Sequence, residues 1–92
     1  MDKGPLELEI VSPEKRLFMG RVTWVQLPGA MAPFRVLRSH APMVSTLCAG
    51  DIRWESGGEE RCLAVKSGFV EVNNDRVMVL VEVKSESGEV KG

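Results

Sequence analysis

Apolar residues in this chain of 92 recur at every second position along several stretches. Leu6, Leu8 and Ile10 alternate with Glu7 and Glu9, and Ile52 and Trp54 alternate with Asp51, Arg53 and Glu55. A period of two is the signature of a strand with one buried face. No window places apolar residues three and four apart over two turns, so essentially no helix is expected. The chain must then bury its apolar side by stacking sheet on sheet or by closing a sheet into a barrel.

Turn signals cut this pattern into about nine short strands, spaced as in a sandwich or barrel. Ser12-Pro13 ends the first strand. Lys15 to Phe18 reads as a second, closed by Gly20. Arg21 to Leu27 resumes the extended pattern irregularly: Val22 and Val25 are three apart, so either a bulge separates them or one faces outward. Trp24 sits in that irregularity, as a core residue or as an exposed aromatic. Met43 to Leu47, Ile52 with Trp54, Arg61 to Lys66, and Phe69 to Val72 follow, with Ala49-Gly50 as a turn and Gly68 as a bend. Ser56-Gly57-Gly58-Glu59 and Asn73-Asn74-Asp75 read as hairpin turns. Arg76 to Val83 is the most apolar strand, buried on both faces or central in its sheet. Residues 84–92 carry one apolar residue, Val90, and are expected to form a loose polar tail after a single domain over residues 1–83.

Leu27 to Pro42 breaks the regularity. It holds three prolines, Gly29, the only histidine and two arginines. Proline fixes its own φ and pushes the preceding residue toward extended geometry. Gly29 can supply a positive φ. Only Phe34 to Leu37 looks able to form a strand. The segment reads as a shaped surface excursion, the kind of place where binding function sits, or as a plain crossover between sheets.

Several function classes lose support. A net charge of −1 gives no basic face for nucleic acid. The longest apolar run, Val77 to Val81, is too short to span a bilayer. With no leader-like start, a reducing cytoplasm is expected. Cys48 and Cys62 are too few for a disulfide scaffold and lack metal-ligand spacing. Cys62, beside Leu63, Ala64 and Val65, reads as a buried, inert thiol. His40 is the sole candidate base, with no orienting carboxylate nearby in sequence, and Gly57-Gly58 lacks the Lys-Ser/Thr of a phosphate loop. No catalytic residue, cofactor, metal or small ligand is expected. Contact with other proteins remains.

In order and spacing, the motifs resemble the N-terminal domain of the epsilon subunit of F-type ATP synthases. They are Leu6-Glu7-Leu8-Glu9-Ile10-Val11-Ser12-Pro13-Glu14, Leu17-Phe18-Met19-Gly20, Leu27-Pro28-Gly29, Phe34-Arg35-Val36-Leu37, His40-Ala41-Pro42 and Ser67-Gly68-Phe69-Val70-Glu71-Val72. The resemblance implies an all-β fold, a two-sheet antiparallel β-sandwich of about ten short strands. It also implies a non-catalytic rotor subunit of a proton- or sodium-driven synthase, with the gamma subunit and the membrane c-ring as partners. The domain would be peripheral, on the cytoplasmic side of a bacterial inner membrane. The alternative is a free-standing β-sandwich adaptor for some other protein.

Two departures bear on this. Relatives read Gly-x-x-Gly-x-Phe-Gly-Val-Leu-Pro-x-His, whereas here Ala32, Arg35 and Arg38 replace two glycines and a proline. A differently shaped loop with two added positive charges is expected. Many relatives also continue into a C-terminal helical pair that restrains rotation or binds ATP. This sequence reaches Gly92 without a helical heptad, so a short form that neither inhibits by helix insertion nor binds ATP is expected.

Candidate contact residues follow from the resemblance. Ala30, Met31, Ala32 and Pro33 would form a loop tip reaching the ring, or a plain turn. His40 would lie near the gamma or c-ring contact, or stabilise a turn. Ser12 would mark the lower edge, or merely end a strand. Trp24 falls where relatives often carry a polar residue, which favours an interfacial aromatic. Met19, Met31 and Met43 would add adaptable apolar surface or belong to the core.

Overall fold

Alternation in the sequence becomes alternation in burial. The computed structural model describes residues 6–84. In the first strand Leu6, Leu8 and Ile10 are buried while Glu7 is exposed. The strands are β1 (Leu6–Val11), β2 (Arg16–Val22), β3 (Trp24–Leu27), β4 (Phe34–Val36), β5 (Met43–Leu47), β6 (Gly50–Ser56), β7 (Glu59–Asn73) and β8 (Arg76–Val83). No helix occurs among the described residues. The tail expected beyond Lys84 lies outside them.

Hydrogen bonding orders the strands β2-β1-β8-β7-β6-β3-β4, with β5 also paired to β7. The 15-residue β7 serves two neighbourhoods. Glu59 to Val65 pairs with β6, whereas Gly68 to Val72 lies between β5 and β8. A register irregularity between Val65 and Ser67 marks the change. One leaf of the sandwich therefore holds β4, β3, β6 and the start of β7. The other holds β5, the end of β7, β8, β1 and β2. The core between them is almost all Val, Leu and Ile, closed by Trp54 of β6 against Phe18 of β2, ring centroids 4.9 Å apart.

This architecture refines the expected strand plan. Arg61 to Lys66 and Phe69 to Val72 are one strand, not two with a bend at Gly68, because pairing with β8 runs on through Ser67 and Gly68. That continuity reduces the about nine strands read from the sequence to eight, against the about ten that the resemblance implies. Likewise β2 runs past Gly20 to Val22. Val22 and Val25 need neither a bulge nor an outward turn: both are buried because Thr23 carries the chain from one leaf to the other. β8 is central rather than buried on both faces, with Leu80 half exposed. Its pairing with β1 is parallel, the one such pair among the named strands.

Glycine has two separate uses here. The hairpin after Ser56 has positive φ at Gly57 and Gly58, and that after Asn73 has positive φ at Asn74 and Asp75, the backbone of a type I′ turn. Gly29 is different: it does not take the positive φ its loop suggested. Its role is close approach, because a Cβ there would lie 2.5 Å from the Ala32 carbonyl oxygen and 2.9 Å from the Phe34 ring.

Two substitutions test this packing. At Gly68, a Cβ would lie 2.6 Å from the Leu80 carbonyl oxygen and 3.0 Å from Val81 Cγ1. Gly68→Ala should therefore lower unfolding free energy by about 1–3 kcal/mol in urea titration, as overpacking does. The buried Trp54 Nε1 finds no hydrogen-bond partner among the described residues. Trp54→Ala should cost about 3–5 kcal/mol, and Trp54→Phe much less, since it also removes an unsatisfied donor.

Candidate partner-binding surface

The residues singled out from the sequence do not form one site. Leu27 pairs with Phe34, so the Ala30 to Pro33 tip projects from one end of the sandwich. It is exposed throughout, Met31 by 98%, and is tethered by the Ala30 N–H donating to the Thr46 carbonyl at 3.1 Å. Ser12 lies at the same end, on another flank, half buried. Its N–H donates to the Lys15 carbonyl at 2.8 Å and its Oγ accepts from the Lys15 N–H at 3.3 Å, so the hydroxyl shapes the β1–β2 turn.

His40 is at the opposite end. It precedes β5, whose first residue Met43 pairs with Val72 beside the β7–β8 hairpin. Its N–H donates to the Leu37 carbonyl at 3.2 Å, and its Nδ1 lies 2.8 Å from the Ala41 carbonyl oxygen. Trp24 is on neither end. It faces outward from the four-stranded leaf, half buried, with the Arg35 guanidinium stacked 4.0 Å from its ring centre. Arg35 also donates to Gln26 Oε1 at 3.0 Å. The positive charge of Arg35 is thus taken up largely by the chain's own indole. The methionines divide as well: Met19 and Met31 are exposed, whereas Met43 packs against the core.

What the sequence reading missed is the outer face of the five-stranded leaf. Register places Thr46, Phe69, Leu80 and Val11 in one row across β5, β7, β8 and β1. The next row runs Val44, Glu71, Met78, Glu9 and Met19. Phe69, Leu80, Val44 and Met19 are 40%, 50%, 62% and 62% exposed. A solvated strand face should be polar at these positions, yet Phe69, Leu80 and Val11 lie side by side, with Met78 beyond them between Glu71 and Glu9, an apolar patch of the kind partners cover. It opens at one end into a groove of about 1030 Å³, floored by Phe69, Leu80 and Leu17 and bordered by Lys15, Lys66 and Lys84. The signal lay in the Val77 to Val81 run and in Phe69. Five apolar residues in a row must turn some of them outward, but only the register shows which.

Among the described residues no three of His, Cys, Asp and Glu gather as a metal centre requires. Cys62 is half buried rather than in the core. It pairs with Arg53 on the outer face of the four-stranded leaf, and burial, aided by the Asp51 charge, pushes its thiol up and keeps it protonated. A protonated thiol is a poor nucleophile. Cys48 is exposed and lies 3.4 Å from the Pro28 carbonyl.

Comparison with known proteins places this geometry. Residues 5–86 match the model of the ATP synthase delta/epsilon chain β-sandwich domain. ATP synthase epsilon chains of Syntrophobacter fumaroxidans and Solibacter usitatus are 39% and 40% identical over 85 residues, 92% of this chain and 63% of theirs. That of Magnetococcus marinus is 43% identical over 77 residues, 84% of this chain and 56% of its own. The chain thus spans less than two thirds of the length of these relatives. In fold it resembles a chain of the Euglena gracilis mitochondrial ATP synthase OSCP/F1/c-ring structure, with TM-score 0.80 and 20% identity over 88% of this chain and 52% of that one. A chain of the Tetrahymena thermophila central stalk and c-ring structure gives 0.73 and 13% over 89% and 66%. With the sandwich and the family model agreeing over nearly all the described residues, this chain belongs to the ATP synthase delta/epsilon family, through its β-sandwich domain.

Proposed function

We propose that this domain is a non-catalytic part of the rotor of a proton- or sodium-driven F-type ATP synthase, joining the gamma subunit to the c-ring. The observation that carries the reading is the apolar band of Val11, Phe69 and Leu80 on the outer face of the five-stranded leaf. A family member with such a face has a large partner to cover it. We assign the band to gamma. The Ala30 to Pro33 tip and Ser12, which share one end, are assigned to the polar loops of the c-ring, and His40 at the other end to the flank of the gamma contact. Trp24, on the opposite leaf, then lies outside the gamma contact. The position is peripheral, on the cytoplasmic side of a bacterial inner membrane, in keeping with the bacterial relatives.

The mechanism is mechanical. Torque passes through the domain only if neither interface slips, and a hydrogen-bonded sandwich with a close-packed core yields less than a linker would. These residues are assigned coupling and not a brake by helix insertion, since those described form no helix. The soluble catalytic head with gamma, freed of the c-ring, should hydrolyse ATP as fast with these 92 residues bound as without them.

Native mass spectrometry of the chain with the gamma subunit of its own organism tests the reading, with a one-to-one complex expected. Phe69→Glu and Leu80→Glu should each weaken it at least about 30-fold, roughly 2 kcal/mol, the scale of a central interface anchor. Trp24→Ala should change it by less than about threefold, the scale of a position outside the contact. Failure of the wild-type chain to bind gamma at micromolar concentration would favour a free-standing adaptor instead.

A further inference from the structure

Among the described residues, three other than glycine take left-handed backbone: Ser39 (φ 67°), Asn74 (φ 53°) and Asp75 (φ 62°). Asn74 is ordinary at its place in a type I′ hairpin. Asp75 is not, because the second central position of that turn favours glycine. A side chain kept where glycine is easier calls for a use, and sound inference runs from such an outlier to a role. The Asp75 carboxylate has one. Its Oδ1 accepts the Ser39 N–H at 2.6 Å, across 36 residues of sequence. Ser39 is the other strained residue, in the turn that His40 closes by donating its N–H to the Leu37 carbonyl. The Asp75 main-chain carbonyl meanwhile accepts the Glu7 N–H at 2.9 Å, which fixes the hairpin to β1.

We infer that Asp75 is a positioning residue: its carboxylate locks the Leu37 to His40 turn onto the β7–β8 hairpin and so sets how His40 is presented to the stalk partner. The charges around the lock are Arg38, whose Nη1 donates to Ser39 Oγ at 3.2 Å, and the Glu7–Arg76 pair at 3.4 Å. Neither supplies the Ser39 N–H with another acceptor. Pro42 stiffens only the far side of the turn. Without Asp75 the segment from Leu37, itself 52% exposed, to Pro42 would be tied at its ends alone. The positioning role rests on the rotor reading above; the lock itself does not.

The test compares Asp75→Gly with Asp75→Asn in the 92-residue chain. Glycine relaxes the backbone and removes the acceptor, and asparagine keeps both the left-handed geometry and an acceptor oxygen. In Asp75→Gly the Ser39 amide should exchange with solvent at least tenfold faster, with the melting temperature nearly unchanged. Affinity for the gamma subunit should fall about fivefold or more. Asp75→Asn should restore both within about threefold. Unchanged Ser39 exchange in Asp75→Gly overturns the lock. Faster exchange with unchanged affinity overturns the positioning role. A wild-type chain that binds no gamma overturns the rotor reading and the positioning role together, and the Ser39 amide then shows separately whether the lock stands.

Discussion

The pairing of β7 with three other strands is the constraint from which the rest of the structure follows. β6 binds its first half, β5 and β8 its second, so this one strand fixes the relation of the two leaves. Such a strand needs almost every backbone group satisfied on both sides as it changes partners. It also needs room, and at Gly68 the backbone of β8 comes too close for any side chain. The long strand, the register irregularity before Ser67 and the glycine after it are one device.

Because β7 fixes the leaves, it fixes what they show to solvent. The row Ser45, Val70, Val79 and Ile10 faces the core, and the neighbouring row Thr46, Phe69, Leu80 and Val11 must therefore face outward. A shift of one residue would exchange the two sets. The apolar band is thus as strongly specified as the core. Held by the same hydrogen bonds that hold the fold, this face cannot move independently of it. The loops differ in kind. The Ala30 to Pro33 tip is tethered through Ala30 to β5, and the Leu37 to His40 turn is held by a carboxylate from the β7–β8 hairpin turn.

Much of the fold was legible because period-two alternation maps directly onto burial, as in Leu6, Leu8 and Ile10 or Ile52 and Trp54. The turns at Gly57-Gly58 and Asn74-Asp75 were legible because their residue types meet a backbone demand. The continuity of β7 was not, since Gly68 reads as a bend after Lys66 and only the pairing of Ser67 and Gly68 with β8 makes them strand. The contact surface was least legible. Oddity of composition pointed to Leu27–Pro42, but the structure sends the two ends of that stretch to opposite ends of the sandwich. Trp24 and Arg35, each unusual alone, are explained chiefly by each other. Phe69, Leu80 and Val11 share a face only through register between strands far apart in sequence.

The central claim is that the outer face of the five-stranded leaf is where the stalk partner docks. Hydrogen exchange of the chain, free and bound to its gamma subunit, measures this most directly. New protection over Ser67–Glu71 and Met78–Glu82, with the outer face of the other leaf around Trp24 and Arg53 unchanged, is the predicted result. Protection confined to the segments carrying Trp24 and Arg53, with none added over Phe69 and Leu80, would contradict it.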